Sequence, residues 1–146
     1  MAEDRIKVVT AKLIPDDHRI GIVWVTQVLR DAGMEVVYLG VNRTIDQVMS
    51  AVEQEDADVV GLSFSCGGHL AAMRKFMDRM REKEMGHVLV LVGGVIPSAD
   101  IPKLKEMGVA QVFPSETRAQ DIVDYVTGCV GRIAAPEGPP RHAHNL

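Results

Sequence analysis

The chain predicts an α/β fold: a doubly wound, five-stranded parallel sheet with helices on both faces. Three observations predict it. Apolar runs alternate with helix-periodic segments five times along the 146 residues. Two of those runs, Val59–Phe64 and Val88–Val92, are continuous rather than alternating, as central parallel strands buried on both faces require. The composition is 47% hydrophobic, poor in aromatics and rich in valine, alanine and methionine. That is enough to build one core, and the length fits one domain.

The elements follow in order. Ile6–Leu13 reads as the first strand, Val36–Leu39 as the second, Val59–Phe64 as the third, Val88–Val92 as the fourth and Ala110–Phe113 as the fifth. In the first helix Val23, Val25, Val28 and Leu29 are expected to share the buried face, with Arg30 and Asp31 on another. Ile45, Val48, Met49 and Val52 repeat the pattern in the second helix. Leu70, Met73, Phe76, Met77 and Met80 do so in the third, as core filling. A short fourth helix is expected over Ala99–Met107 and a fifth over Arg118–Val130. Gly33, Gly86 and Gly108 stand where helix C-caps belong. Strand–helix units with right-handed crossovers give a parallel sheet, and the expected strand order is 2-1-3-4-5. This is a flavodoxin-like (Rossmann-like) arrangement. Its ligand crevice lies at the carboxyl ends of strands 1 and 3, where the winding reverses.

Several functions are excluded by composition. A net charge of −4 without a basic block offers no footprint for nucleic acid. No segment reaches the ~20 apolar residues of a membrane span. Met1-Ala2-Glu3-Asp4 has neither the basic nor the apolar region of a signal peptide. Cys66 and Cys129 match no zinc spacing and read as reduced thiols of a cytoplasmic protein. The domain is expected over residues 1–133. The tail 134–146, rich in Pro, His and Gly and without period, is expected to be disordered.

The chemistry lies at the strand ends. Strand 1 leads into Lys12, then Asp16-Asp17-His18-Arg19-Ile20-Gly21. A carboxylate two residues before an imidazole can hold one ring nitrogen while the other ligates a metal. Strand 3 ends at Ser63-Phe64-Ser65, followed by Cys66-Gly67-Gly68-His69; strand 4 ends at Gly93-Gly94 and strand 5 at Phe113-Pro114-Ser115-Glu116-Thr117. This rim is small and polar. Paired glycines let backbone approach a ligand closely. Gly-x-Gly-x-x-Gly and the Walker lysine loop are both missing, which argues against a dinucleotide or NTP. Cys66 and His69 lie near the crevice, either as ligand contacts or as structural loop residues.

The motifs Asp16-x-His18-x-x-Gly21, Ser63-Phe64-Ser65 and Gly93-Gly94 resemble the signature of the cobalamin-binding domain of coenzyme B12-dependent carbon-skeleton mutases. The likeness runs from about Arg5 to Val130. Gly93-Gly94-Val95-Ile96-Pro97 and Leu29–Val36 look most like acyl-CoA mutases of the methylmalonyl-CoA and 2-hydroxyisobutyryl-CoA type. The resemblance implies adenosylcobalamin as cofactor, with His18 as the lower axial ligand of cobalt. It implies Asp16 behind His18, and Lys12, four residues before Asp16, extending the relay. Arg19 and Gly21 complete the motif loop. The displaced nucleotide tail would lie in the crevice, with Ser63 on its benzimidazole, Gly93 and Gly94 letting it pass and Thr117 at its far end. Two departures stand out. Ser65 replaces the family leucine of Ser-x-Leu, making the tail pocket more polar there. Phe113–Thr117 replaces a Phe-Gly-Pro-Gly-Thr loop, removing two glycines and adding Glu116.

The resemblance also implies what lies elsewhere. A radical mutase needs a second domain, typically a barrel, that binds the acyl-CoA and covers the upper face of the cofactor. With strand 1 beginning by residue 6, the chain reads as a free-standing small subunit without catalytic residues of its own, paired with a larger catalytic subunit. The alternative is a stand-alone corrinoid carrier for methyl transfer or B12-based sensing. Such carriers usually have an extra helical bundle ahead of this motif. A receiver domain of a response regulator shares the fold, but needs a phosphoacceptor aspartate at the end of strand 3, where this chain has Ser63–Ser65.

Overall fold

The computed structural model describes residues 5–134. Five strands, β1 (Lys7–Leu13), β2 (Glu35–Arg43), β3 (Val59–Phe64), β4 (Leu89–Gly94) and β5 (Gln111–Pro114), alternate with five helices, α1 (Ile20–Asp31), α2 (Ile45–Glu55), α3 (His69–Glu82), α4 (Ile101–Glu106) and α5 (Ala119–Ala134). The sheet is parallel throughout, in the order β2-β1-β3-β4-β5. The expected order and strand count therefore hold. β2 is longer than the Val36–Leu39 core of its apolar pattern. The fourth helix region divides into a 3-10 turn at Ser98–Asp100 and a short α4. The tail 135–146 and residues 1–4 lie outside the described residues, and Ala134, assigned to the tail from sequence, closes α5.

Alternation along the strands distributes two cores. Val9, Ala11, Val60, Leu62, Phe64, Val90 and Val92 face α2, α3 and α4. Val8, Val59 and Leu91 face the other way, against Leu29 of α1 and Ile122, Val126 and Val130 of α5. The first core runs the full length of the strands. The second does not. Stepping by two from Val8, Val59 and Leu91 gives Thr10 and Lys12, Gly61 and Ser63, and Gly93. On this face apolar bulk stops halfway along each strand, so the α1–α5 layer stands over small and polar residues near the carboxyl ends.

Helix details differ from the pattern in two places. α1 buries Ile22, Thr26 and Leu29; of the expected Val23, Val25, Val28 and Leu29, Leu29 is buried, Val25 and Val28 only partly. Val23 and Trp24 are left exposed. Valine frequency points to the wrong stripe because a polar residue, Thr26, belongs to the buried one: its hydroxyl lies 2.8 Å from that of Thr10 in β1. Of the expected C-cap glycines, Gly33 and Gly108 have left-handed backbone, but Gly86 does not; Glu84 takes that conformation after α3, and Asp56 after α2. α2 opens with a capping box in which Thr44 and Gln47 bond each other's backbone N–H.

Candidate functional site

The β1–α1 loop leaves the sheet through a cis Ile14–Pro15 bond and is pinned to β2 by the Ile14 N–H, which donates to the Arg43 carbonyl. The turn brings Asp16 back over the carboxyl end of β1. There Asp16 is buried and has a partner for each carboxylate oxygen. Oδ1 accepts from the backbone N–H of His18 (3.1 Å) and lies 3.0 Å from His18 Nδ1. Oδ2 accepts from the Ser65 N–H (2.7 Å) and lies 3.2 Å from Lys12 Nζ. Burial alone would raise the Asp16 pKa. The hydrogen bonds from the His18 ring, the Ser65 and His18 backbone and Lys12 outweigh it and hold the carboxyl down at about 2.

With Asp16 ionised, Nδ1 of His18 carries the proton and donates it, leaving the Nε2 lone pair for a metal. The His18 side chain is 66% exposed while that of Asp16 is 5% exposed, so the ring projects outward from a fixed base. Lys12 is fully buried and sits on the cleft side of β1 by alternation. Its ammonium also donates to Ser65 Oγ (2.7 Å) and Ser63 Oγ (3.5 Å). Lys12, Asp16, His18, Ser63 and Ser65 thus form one continuous network across the ends of β1 and β3.

Beside this network opens a cleft of about 160 Å³ between α1 and α5. Gly21, Ser63, Gly93, Gly94, Phe113 and Thr117 line it, together with Val25, expected only as core, and two residues the sequence reading did not single out, Ile22 and Trp24. The rim is polar as expected, but the throat is apolar. Trp24 could have been suspected, because it is the chain's one tryptophan and lies in the helix directly after the histidine motif. Ile22 is reached only through the fold. Gly21 leaves room at the entrance: a Cβ there would stand 4.0 Å from Ser63 Oγ.

The remaining sequence-predicted residues fall in distinct places. Gly94 has φ +108, and a Cβ on it would overlap the Phe64 carbonyl, so this glycine is required by the β3–β4 approach itself. Gly93 is less constrained; its Cβ would lie 3.2 Å from the Phe113 carbonyl. The Thr117 N–H and hydroxyl both donate to the Pro114 carbonyl (2.9 and 2.7 Å), closing the β5–α5 turn without the family glycines. Glu116 is exposed and is not among the residues lining the cleft. Arg19 is exposed at the start of α1. Ser65 is not among the lining residues; its hydroxyl is turned to Lys12. His69 is buried, with Nε2 2.7 Å from Asp100 Oδ2, which joins the β3–α3 loop to the β4–α4 loop. Cys66 is exposed, its sulfur within 4.8 Å of ligating atoms of Asp16 and His18. No sequence spacing announces that approach.

The donor set fits a cobalamin. His18 would hold its cobalt through Nε2, and the largely apolar cleft, bare of side chains at Gly61 and Gly93, would take its nucleotide tail. The comparisons agree. The B12 binding domain family matches residues 6–123. The chain is 36% identical over 135 residues to the 2-hydroxyisobutanoyl-CoA mutase small subunit of Aquincola tertiaricarbonis, covering 92% of this chain and 99% of that one. It is 38% identical over 122 residues to the pivalyl-CoA mutase small subunit of Xanthobacter autotrophicus, covering 84% and 82%. A cobalamin-binding protein from Desulfitobacterium hafniense superposes with a TM-score of 0.76 at 26% identity, over 87% of this chain and 60% of that one. The chain belongs to the B12-binding domain family and, within it, to the small subunits of coenzyme B12-dependent acyl-CoA mutases.

Proposed function

We propose that this chain carries adenosylcobalamin for a carbon-skeleton isomerase acting on an acyl-CoA, with His18 as the lower axial ligand of cobalt. The observation that carries the reading is the buried Lys12–Asp16 pair behind an outward-facing His18, beside an apolar cleft. When bound, the cofactor supplies the radical chemistry by homolysis of its cobalt–carbon bond. The residues of this chain do the rest. Asp16 fixes the tautomer and direction of His18. Lys12 compensates the charge of Asp16 and limits how much electron density the imidazole can give. Ser63 offers a hydroxyl to the base of the nucleotide tail, Gly21 and Gly93 leave space for it, and Thr117 closes the far end. The apolar throat excludes water from the tail.

The acyl-CoA and the upper face of the cofactor belong, on this reading, to a larger barrel-containing catalytic subunit. The fused isobutyryl-CoA mutase of Geobacillus kaustophilus supports it: this chain is 32% identical to a stretch making up 10% of that protein. The exposed large hydrophobics Ile14, Ile20, Val23, Trp24 and Val95 all lie in α1 or in the loops following β1 and β4, where such a partner would sit. The exposed free thiol of Cys66 suits a reducing compartment, the cytoplasm. Among the described residues no helix is long and apolar enough to cross a membrane.

The test is a titration with adenosylcobalamin, followed by visible spectroscopy, for the chain and for His18→Ala, each with and without the co-purified partner. Binding by the wild type, with a spectrum altered by His18→Ala, is the expected result. No binding in any mixture would sink the cobalamin reading. Identical spectra would remove His18 from the cobalt, and recovery of a methyltransferase alone as partner would replace the mutase with a corrinoid carrier.

A further inference from the structure

We propose that Ser65 is a positioning residue for the cobalt ligand, acting on His18 through Lys12 and Asp16 rather than on the nucleotide tail. The inference rests on the cobalamin reading above. An ammonium has three N–H donors. Lys12 meets three oxygens: Ser65 Oγ at 2.7 Å, Asp16 Oδ2 at 3.2 Å and Ser63 Oγ at 3.5 Å. The lysine side chain is fully buried, so water does not replace a lost partner. The shortest of the three contacts is the Ser65 hydroxyl.

Ser65 also reaches the same carboxylate directly. Its N–H donates to Asp16 Oδ2 at 2.7 Å, while Oδ1 serves the His18 ring. The residue therefore stands on both sides of Oδ2. The N–H holds the carboxylate in place, and the hydroxyl draws the Lys12 charge off it. Without the hydroxyl, the buried ammonium loses its nearest acceptor and closes on Oδ2. Electron density drawn to Oδ2 leaves Oδ1 a poorer acceptor for the His18 Nδ1–H. The imidazole then becomes a weaker donor through Nε2. Ser63 does not substitute, since its contact with Lys12 is the longest and it lines the cleft.

The test uses the full chain as wild type, Ser65→Ala, Ser65→Thr and His18→Ala. Each is loaded with cob(II)alamin and, separately, with cobinamide, which has no nucleotide tail. The readouts are the nitrogen hyperfine splitting of the cobalt EPR signal and the dissociation constant. Ser65→Ala is expected to reduce the histidine-ligated fraction and weaken binding about tenfold, the low end for a residue behind a metal ligand. The same fold-loss is expected with cobinamide, and Ser65→Thr, which keeps the oxygen, is expected to restore both. If Ser65→Ala does not fold, Ser65→Cys carries the comparison, with an intermediate loss expected from its weak sulfur acceptor. A loss with cobalamin but not with cobinamide returns Ser65 to the tail and overturns the inference. So does an equal loss in Ser65→Thr, or no loss in Ser65→Ala or Ser65→Cys. A wild type without histidine splitting, or with splitting that His18→Ala retains, would instead sink the cobalamin reading itself.

Discussion

Lys12 Nζ stands 3.2 Å from Asp16 Oδ2, and neither side chain is more than 5% exposed. The charged pair lies within the domain, under the loop that presents His18. Removing one member of a buried pair costs about 3–5 kcal/mol because the other charge is left uncompensated. Asp16 would keep its N–H donors, so Lys12→Met is expected at the low end, about 3 kcal/mol. Urea unfolding of the unliganded chain measures it, and a double-mutant cycle with Asp16→Asn should return a coupling above about 1 kcal/mol. Purely additive costs would mean that the two residues do not act as a pair.

The pair also predicts a pH dependence. Burial works to raise the Asp16 pKa, but the bonds from His18, Ser65 and Lys12 hold it at about 2, below the ordinary 3.8. A carboxyl with a depressed folded pKa stabilises the fold above its unfolded pKa and loses that contribution as pH falls through the folded value. The stability advantage of wild type over Asp16→Asn should therefore be constant above about pH 5. It should shrink by about 2 kcal/mol as pH falls from there to about 2. Unfolding midpoints across that range give the difference directly; a flat difference would refute the assigned shift.

The paired glycines should separate on mutation. Gly94→Ala meets both a left-handed backbone and the Phe64 carbonyl, so the loss should exceed about 3 kcal/mol. Gly93→Ala has only the Phe113 carbonyl to displace slightly, at about 1 kcal/mol, yet narrows the cleft. Thermal melts rank the two for stability, and cobalamin titration of Gly93→Ala should show the larger functional change per kcal/mol lost.

Gly61 offers the opposite trade. A Cβ there meets only Thr10 Cγ2 at an ordinary 3.8 Å, and the residue lines the cleft. A β-branched side chain suits a central strand better than glycine. Gly61→Val is expected to leave stability unchanged or raise it by up to about 1 kcal/mol, while weakening cobalamin binding at least about tenfold. Undiminished affinity would show that nothing occupies that part of the cleft.

Asp100 should matter although it lies outside the Lys12–Asp16–His18 network. His69 is buried, its Nδ1 has no partner, and Asp100 holds its Nε2. Asp100→Ala leaves both ring nitrogens unsatisfied, which costs about 1–3 kcal/mol. Hydrogen exchange should report the loss in the β3–α3 and β4–α4 loops first, before the α1–α5 face responds.

Much of the arrangement was legible in the residues. The continuous strands and the strand order followed from apolar pattern, because parallel strands buried on both faces leave no polar alternation to confuse them. The Asp16–His18 contact was legible because two residues of separation in a loop leave little freedom. The buried stripe of α1 was not, since Thr26 takes its place there only by pairing with Thr10 across sixteen positions. Nor was the turn of Ser65 from the tail toward Lys12, because a strand-end hydroxyl has no direction until its neighbours are placed.

By itself, the sequence determined the sheet, the family motifs and the loop that carries His18. These depend on local periodicity and on residues close along the chain. Only the tertiary structure decided that Lys12 is buried, that its charge is divided among Asp16, Ser65 and Ser63, and that Cys66 approaches His18. It also decided where the α1–α5 core stops. The physical reason is shared: a charge or a void inside a protein is defined by what surrounds it, and here the surroundings come from β1, β3, β4, β5, α1 and α5 together.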